Sequence, residues 1–474
     1  MTTDNQMPRS TAEAQGISSA AILEFVEAAE KHLHEIQSLV LVRHGCIVAE
    51  GWWSPYSAEH PHMMFSLSKS FTSTAVGLAV SERRISLDDK VLSFFSEDAP
   101  SNVSANLVAM RVRDLLTMNS GHAEDSAPII TKRADGNWVK GFLEQPVIHA
   151  PGSQFCYDSG ATFMLSAIVQ KVTGLTLVDY LEPRLFEPLG IEKPVWDRSP
   201  QGINVGGVGL HLKTEDIARF GQMYLQKGLW NGRRILPEAW VNEATSRLTD
   251  SNLPGIDWQQ GYGYQFWQCR HGVYRGDGAF GQFCIVIEEH DAVLAMTSGT
   301  DDMQAVLDLV WDMLLPAFGT NPLRADSTAA QKLAQKLSGL VFVPPQGQHM
   351  SPAADISGKV YPVEANPRGI TSVALDFSDP GCIATIRTAN GEHRVDCGLG
   401  NWHEGTTTLY DRSSAVAASG VWIADDAFAI TLRFYETPFW FTLTCHINGD
   451  RMVVETTSNV DFWNTGDWLV GHFA

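Results

Sequence analysis

A serine and a lysine stand three residues apart in the segment PHMMFSLSKSFTSTAVGL, residues 61–78. Residues i and i+3 lie on one face of a helix, so Ser66 and Lys69 would be neighbours at a helix start. A serine hydroxyl is a weak nucleophile that needs an adjacent base, and a lysine supplies one when burial lowers its pKa. Neither Ser68 nor Ser70 has a lysine at this spacing. The segment therefore indicates Ser66 as the candidate nucleophile.

A purely structural interpretation of this segment stays open at this point. Ser66 would then be an N-cap and Lys69 a solvated charge, because a pattern as short as S-x-x-K also arises by chance. In the catalytic interpretation, backbone N–H groups at the helix N-terminus would face a developing oxyanion. The rest of the chain has to decide between the two.

A tyrosine and a second serine precede a long amphipathic pattern in GSQFCYDSGATFML. Tyr157 and Ser159 lie there just before the predicted helix, which ends at Gly174. A tyrosine beside a serine–lysine pair could carry a proton between nucleophile and leaving group. The alternative is a partly buried aromatic at a helix cap.

A glycine-rich turn interrupts strand-like residues in YRGDGAFGQFCIV. Gly276 and Gly278 would allow close approach of a substrate to an edge-strand backbone, which suits a second oxyanion donor. The same letters fit G-x-G-x-x-G, but a dinucleotide-binding loop must open a helix. The following residues, 282–290, are strand-like, so that interpretation is disfavoured.

Together, the segments SLSK, YDS and GDGAFGQ resemble the serine β-lactamase and penicillin-binding-protein superfamily in their order and separation. The resemblance is strongest to the branch with class C β-lactamases, D-aminopeptidases and family VIII carboxylesterases. It covers roughly residues 15–318, and RVRDLLTMNSGH, PGSQFCYDSG and GGVGLHLKTEDIARFGQMYLQKGLW support it. It implies an antiparallel sheet flanked by helices, together with a helical subdomain.

The resemblance also implies roles for individual residues. Ser66 matches the acylated nucleophile and Lys69 its general base. Tyr157 matches the tyrosine that passes a proton to the leaving group. Ala279 follows the third motif, and its backbone N–H is expected to form the oxyanion hole together with that of Ser66.

Two departures from the family pattern bear on the substrate. Ser159 replaces the usual asparagine and is expected to reach Lys69 or a substrate amide. Gly276-Asp277-Gly278 replaces K-T-G or H-x-G, so the cation that would meet a β-lactam carboxylate is missing. Arg275 should point to the opposite face of the strand. We therefore expect an ester or amide substrate rather than efficient β-lactam hydrolysis, and Asp277 could pair with a substrate amine.

Histidines offer weaker candidates. His122 follows a Ser-Gly turn near the expected cleft and could line it, although a packing role is an equal alternative. The histidines at 32, 34, 60 and 62 match no metal-ligand spacing. We predict neither a metal nor an organic cofactor.

Bulk composition limits the partners and the compartment. The 474 residues carry a formal charge of −20, without a block of Lys or Arg, which disfavours nucleic acid and membrane partners. The seven cysteines show no CxxC, and the polar N-terminus lacks an apolar signal segment. These features predict a cytoplasmic protein that acts on a small molecule, with a homodimer possible.

The chain length and the pattern of elements predict two domains of overall α/β class. Residues 1–320 would form the β-lactamase-like domain, 321–354 a linker, and 355–474 a small β-barrel or sandwich. The leading hypothesis is a serine hydrolase that works through an acyl-enzyme at Ser66. The alternative is a binding or regulatory protein on the same fold that has lost turnover, which the altered second and third motifs would explain.

Overall fold

The structure, a computed structural model, describes residues 6–348, 356–366, 369–378, 381–409, 413–449, 451–460 and 468–472. Two compact units divide the chain. One contains Met1–Gly51, Met63–Ser298 and Asp302–Leu337, and the other contains Trp52–His62, Gly299–Asp301 and Ser338–Ala474. The predicted linker at 321–354 is thus split between the units, and its last residues, 349–354, lie outside the described residues.

A six-stranded antiparallel sheet forms the centre of the first unit. Its strands run in the order β2-β1-β11-β10-β9-β8, so the two ends of the unit's sequence meet in one sheet. The unit contains β1 (Ile36–Arg43), β2 (Cys46–Trp52), β3 (His62–Met63), β4 (Val195–Trp196), β5 (Leu210–Leu212), β6 (Leu229–Trp230), β7 (Arg233–Arg234), β8 (Trp267–Gln268), β9 (Tyr274–Gly278), β10 (Gln282–Ile287) and β11 (Ala292–Ser298).

Helices pack around this sheet, and most of them lie in the sequence between β3 and β8. They are α1 (Ser19–Leu33), α2 (Ser68–Ser81), α3 (Val91–Phe94), α4 (Ala105–Ala109), α5 (Val112–Leu116), α6 (Ala127–Ile130), α7 (Trp138–Leu143), α8 (Ser159–Thr173), α9 (Leu177–Leu181), α10 (Glu187–Leu189), α11 (Thr214–Leu225), α12 (Glu238–Ala244), α13 (Met303–Leu309) and α14 (Ser327–Ser338). α11 packs on β1, β10 and β11, and α1 packs on α13. The predicted antiparallel sheet flanked by helices is confirmed.

Local signals in the sequence explain the elements around the candidate nucleophile. The strands β1 and β2 meet at His44 and Gly45, whose φ angles of +48° and +73° form the predicted hairpin turn. α2 is buried on all sides between 68 and 79, as expected for a helix at the centre of a large domain. α8 ends at Gly174, which adopts the left-handed conformation at its C-cap.

The second unit is built almost entirely from β-strands, as predicted. They are β12 (Val360–Pro362), β13 (Ile370–Ser378), β14 (Gly381–Thr388), β15 (Gly391–Leu399), β16 (His403–Thr407), β17 (Ser414–Ala424), β18 (Ala427–Arg433), β19 (Trp440–Asn448), β20 (Arg451–Ser458) and β21 (Trp468–His472). They form one sheet in the order β12-β13-β14-β15-β17-β18-β19-β20-β21, with β16 paired to β17. The sheet curls until β12 approaches β21, so it is nearly a closed barrel.

Apolar side chains from alternate positions fill the interior of this barrel, among them Leu375, Phe428 and Met452. No single helix among the described residues is both long and apolar enough to cross a membrane. The helical segments 159–173 and 177–189, which are bent relative to each other, reach the required length and apolarity only when they are counted together.

Candidate active site

Ser66 lies in a short 3₁₀ turn, Phe65–Leu67, immediately before α2. Leu67 occupies the N-cap position of α2, and no side-chain hydrogen bond caps the helix there. The interpretation of Ser66 as an N-cap is therefore wrong. Phe65 has a φ angle of +44°, an uncommon conformation for a residue with a side chain. Such strain is often found at functional sites, and here it directly precedes the half-buried Ser66.

Lys69 is buried in the first turn of α2, with 1% of its surface exposed. Its Nζ donates to Ser66 Oγ at 2.9 Å, to Ser159 Oγ at 3.1 Å and to the Gly207 carbonyl at 2.9 Å. All three acceptors are neutral. The interpretation of Lys69 as a solvated charge is therefore wrong.

Burial lowers the pKa of Lys69 to about 8, while Asp125, Asp277 and Asp158 act in the opposite direction. At pH 7 about one amine in ten is then neutral, compared with fewer than one in a thousand for an ordinary lysine. A neutral amine has a lone pair that can accept the proton of Ser66. The geometry and the lowered pKa thus suit a general base.

Tyr157 completes a group of three around Ser66. Its ring lies 4.8 Å from Lys69 Nζ and stacks on Trp267 with centroids 5.5 Å apart. Burial raises the pKa of Tyr157 above its usual range, although a hydrogen bond with the Ser66 side chain opposes this shift. A phenolate is therefore disfavoured, and the tyrosine can relay a proton only as a neutral hydroxyl.

Ser159 is the first residue of α8, and its side chain lies half-buried beside Lys69. Its hydroxyl accepts from Lys69, and its backbone N–H donates to Asp125 Oδ1 at 2.9 Å. The expected contact between Ser159 and Lys69 is thus present. The Ser159 side chain thus binds the Lys69 amine, while the Ser159 backbone N–H is bound by Asp125.

The glycines of β9 lie against the segment that carries Ser66. A Cβ on Gly278 would stand 2.1 Å from the Met64 carbonyl oxygen, and one on Gly276 would stand 2.5 Å from Leu67 Cδ1. We expected these glycines to admit a substrate to the strand. That role stays a prediction, and the structure adds a second reason for the glycines, because Gly278 lets β9 approach the Met64 backbone and Gly276 lets it approach the Leu67 side chain.

Ala279 follows β9 directly and is half-buried. The next residue, Phe280, has a φ angle of +67°, and its ring packs edge-on against that of Phe65 with centroids 5.6 Å apart. The residue before Ser66 and the residue after Ala279 thus both have positive φ angles, and their side chains are in contact. The predicted oxyanion pair of Ser66 and Ala279 amides stays a prediction.

Asp277, which could pair with a substrate amine, is already paired with Arg275. Arg275 lies two residues earlier on the same face of β9, and its Nε and Nη2 each lie 3.0 Å from Asp277 Oδ2. Both side chains are buried, and the guanidinium lies 4.4 Å from the ring centre of Trp258. Arg275 and Asp277 therefore form a buried ion pair on the face of β9 opposite to Gly276. This is the face that strand alternation predicts for Arg275.

His122 lies beside Asp158, the N-cap residue of α8. It is 3% exposed, its Nδ1 lies 3.1 Å from Ser120 Oγ and 3.3 Å from Asp158 Oδ2, and its ring packs against Phe142. These contacts correspond to the packing alternative for His122 rather than to a position lining the cleft. No group of three or more His, Cys, Asp or Glu side chains in the described ranges is arranged to hold a metal ion.

Two acids near the site escaped the sequence analysis. Asp158 is the N-cap of α8, a position that an aspartate before a helical pattern does signal. Asp125 accepts the backbone N–H of Ser159 from a loop more than thirty residues earlier in the chain, and its charge raises the pKa of Lys69. Nothing in the sequence near Asp125 indicates that contact, because it depends on tertiary packing.

Known proteins resemble the chain in sequence and in fold. The 6-aminohexanoate-dimer hydrolase of Paenarthrobacter ureafaciens is 25% identical over 296 residues, which cover 58% of this chain and 75% of that protein. The octameric penicillin-binding protein homologue from Pyrococcus abyssi matches 95% of this chain and 99% of its own, with a TM-score of 0.50 at 15% identity. EstCE1, a hydrolase with promiscuous acyltransferase activity, matches 65% of this chain and 100% of its own, with a TM-score of 0.53 at 15% identity.

The sequence relative is named as a hydrolase, and the two structures share the fold of this chain. A model of the Beta-lactamase family matches residues 26–312, which is more than half of the chain. The resemblance read from the sequence is thereby confirmed, and the chain belongs to the beta-lactamase family.

Proposed function

We propose that the protein is a serine hydrolase that cleaves an ester or amide through an acyl-enzyme at Ser66. The observation that carries the proposal is the 2.9 Å hydrogen bond between Lys69 Nζ and Ser66 Oγ, made by a lysine that is buried among neutral acceptors. This arrangement supplies a nucleophile and an adjacent base whose pKa lies near neutrality.

In the proposed acylation step, Ser66 Oγ attacks the substrate carbonyl and its proton passes to Lys69. The backbone amides of Ser66 and Ala279 stabilise the negative charge on the carbonyl oxygen. Tyr157 then gives its proton to the departing alcohol or amine and recovers one from Lys69. Water attacks the acyl-enzyme by the reverse proton route, which releases the acid and restores Ser66.

The third motif supports a substrate other than a β-lactam. Gly276 presents no cation for a carboxylate, and Arg275 is already paired with Asp277. A relative named for hydrolysis of the 6-aminohexanoate dimer supports an amide as the scissile bond. We therefore propose amides and short esters as the substrate class.

The proposal is tested by mixing the protein with a fluorophosphonate probe and, separately, with a short-chain p-nitrophenyl ester. We expect labelling and ester hydrolysis, both lost in Ser66→Ala. Ser73→Ala is the matched control in α2, because the buried Ser73 hydroxyl has no hydrogen-bond partner among the described residues. Wild-type protein that is folded yet neither labelled nor active would support the alternative of a binding or regulatory protein.

A further inference from the structure

We propose that Gln265 is a positioning residue that ties together the three chain segments carrying the proposed catalytic groups. It binds α2, which follows Ser66, and α8, which begins at Ser159. It also binds the end of α5, which holds the segment of Tyr157. Gln265 therefore acts on the reacting atoms only through other residues, and the inference rests on the proposed hydrolase function for its consequences on rate.

Gln265 lies in the bend before β8, and its backbone has an uncommon conformation. Its φ angle is +64°, in the left-handed region that residues with a side chain seldom adopt. It is also 2% exposed, so its amide group must find hydrogen-bond partners within the protein. A buried polar residue with such a backbone requires support from its surroundings, and residues of this kind are frequent at functional sites.

The main chain of Gln265 binds the first turn of α2. Its carbonyl accepts the hydroxyl of Ser70 at 2.8 Å, and Ser70 directly follows Lys69. Ser70 is buried and lies against β9, since a Cβ on Gly276 would stand 2.6 Å from Ser70 Oγ. The Ser70 hydroxyl therefore fixes the turn of α2 from which Lys69 reaches Ser66.

The side-chain oxygen of Gln265 binds the first turn of α8. Gln265 Oε1 accepts the hydroxyl of the buried Thr162 at 2.7 Å. Thr162 stands three residues after Ser159, so the two side chains lie on one face of the helix. Because Ser159 Oγ accepts from Lys69, this contact holds the helix that supplies one acceptor for the Lys69 amine.

The side-chain nitrogen of Gln265 caps the C-terminus of α5. Its Nε2 donates to the Leu116 carbonyl at 2.8 Å and to the Leu115 carbonyl at 3.3 Å. The last carbonyls of a helix have no intrahelical N–H partner, so a buried helix end needs donors of this kind. A carbonyl only accepts, which fixes the orientation of the amide with Nε2 towards α5 and Oε1 towards Thr162.

The end of α5 in turn holds both neighbours of Tyr157. Met118 lies two residues after the helix, and its carbonyl accepts the Cys156 N–H at 2.8 Å. The sulfur of Met118 accepts the Asp158 N–H at 3.3 Å. The ring of Tyr157 stacks on Trp267, which begins β8. The bend before β8 thus fixes the backbone of Tyr157 through α5 and its ring through Trp267.

Gln265→Met tests the proposal, because methionine has a similar volume but makes none of the amide hydrogen bonds. Gln268→Met is the matched control, since Gln268 Nε2 likewise donates to a helix-end carbonyl, that of Thr245 after α12. We measure fluorophosphonate labelling of Ser66, as a maximal rate and a half-saturating concentration, on protein that is folded by circular dichroism. Gln265→Met should lower the maximal rate about tenfold or more at an unchanged half-saturating concentration, and Gln268→Met should stay within about twofold.

A purely structural role for Gln265 would give a different result. Gln265→Met would then lower the thermal midpoint and leave the maximal rate of the folded protein unchanged, which would overturn the proposal. A rise in the half-saturating concentration alone would also overturn it, because Gln265 would then affect binding of the probe rather than the reacting groups.

Thr162→Val removes a single contact and is the milder test if Gln265→Met does not fold. It should lower the maximal rate, but by less than Gln265→Met does. The double variant should react as slowly as Gln265→Met alone, because the contact is already lost. A wild-type rate in Thr162→Val, or a double variant slowed by the product of both factors, would contradict positioning through this contact.

Hydrogen exchange tests the link without any activity. In Ser66→Ala protein, the backbone amides of residues 156–162 should exchange faster when Gln265→Met is added and should be unaffected by Gln268→Met. Equal exchange in the two variants would contradict the link between Gln265 and these segments. If wild-type Ser66 is never labelled, the proposed hydrolase function fails, while the exchange rates still decide whether Gln265 positions the segments.

Discussion

Two buried cations of the first unit, Lys69 and Arg275, are held in opposite ways. Lys69 is 1% exposed and donates to two hydroxyl groups and one carbonyl. Arg275 is 0% exposed and pairs directly with the Asp277 carboxylate, while its guanidinium lies over Trp258. Lys69 therefore has only neutral hydrogen-bond partners, whereas Arg275 has a charged one.

This difference separates a base from a structural ion pair. Burial lowers the pKa of Lys69 to about 8, because none of its direct acceptors carries a charge. Burial also opposes the charge of Arg275, but Cys269 and Asp277 raise its pKa above the ordinary value. A buried cation with neutral partners can give up its proton, whereas one with a carboxylate partner stays charged and fixes the strand.

The largest expected effect is on chemistry at Lys69. Lys69→Arg keeps a positive charge but cannot act as a base, so labelling of Ser66 by a fluorophosphonate should slow by about 10²–10⁴-fold. Lys171→Arg makes the same change at a partly exposed lysine and should label like wild type. Equal labelling rates of Lys69→Arg and Lys171→Arg would contradict a role of Lys69 as the base.

The next effect is on stability at Arg275. Arg275→Met leaves Asp277 buried without its partner, which should lower the free energy of unfolding by about 3–5 kcal/mol. Arg247→Met breaks the exposed pair with Asp250 and should change it by no more than about 0.5 kcal/mol. Urea titration of both variants measures the contrast. Similar losses would mean that the Arg275 pair is no more structural than a surface contact.

A smaller effect concerns the strand that carries Arg275. Gly278→Ala would place its Cβ 2.1 Å from the Met64 carbonyl oxygen, so β9 must move from the Ser66 segment. We expect a loss of about 1–3 kcal/mol in unfolding free energy, together with slower labelling. Gly405 has open space around its Cβ position, and Gly405→Ala should be nearly neutral in thermal and urea unfolding. Neutral behaviour of Gly278→Ala would contradict the close approach.

The smallest effect is the pH dependence of acylation. The amine of Lys69 accepts a proton only when neutral, and its pKa is lowered to about 8. The labelling rate should therefore rise about tenfold from pH 6 to pH 7 and level off above pH 8. Stopped-flow labelling between pH 6 and pH 10 follows the curve. A midpoint near the ordinary lysine value, or a rate that falls with rising pH, would contradict a neutral amine.

Much of the active-site region could be predicted from local patterns. The spacing of Ser66 and Lys69 identified the pair, because a helix places residues three apart on one face. Gly174 and the hairpin turn at His44 and Gly45 likewise mark element ends through local backbone conformation. The position of Tyr157 beside Ser66 and Lys69 could be predicted only from the family resemblance, because no local sequence rule connects positions 69 and 157.

What the sequence did not reveal depends on packing between distant segments. The alternation of β9 could have predicted that Arg275 and Asp277 share a face, but their burial beside Trp258 depends on the fold. The glycines at 276 and 278 are explained by the backbone at Met64 and by Leu67, which no pattern within β9 shows. Asp125 is the clearest case, because its contact with Ser159 exists only in the folded chain.

The central claim is that Ser66 forms an acyl-enzyme, and trapping that species tests it most directly. Protein quenched in acid during turnover of a slow ester or amide is digested, and the modified peptide is sequenced by mass spectrometry. The account predicts a mass increase equal to the acyl group on Ser66, absent in Ser66→Ala. An acyl group on Ser68, Ser70 or any other residue, or turnover without any adduct in wild type and undiminished in Ser66→Ala, would contradict it.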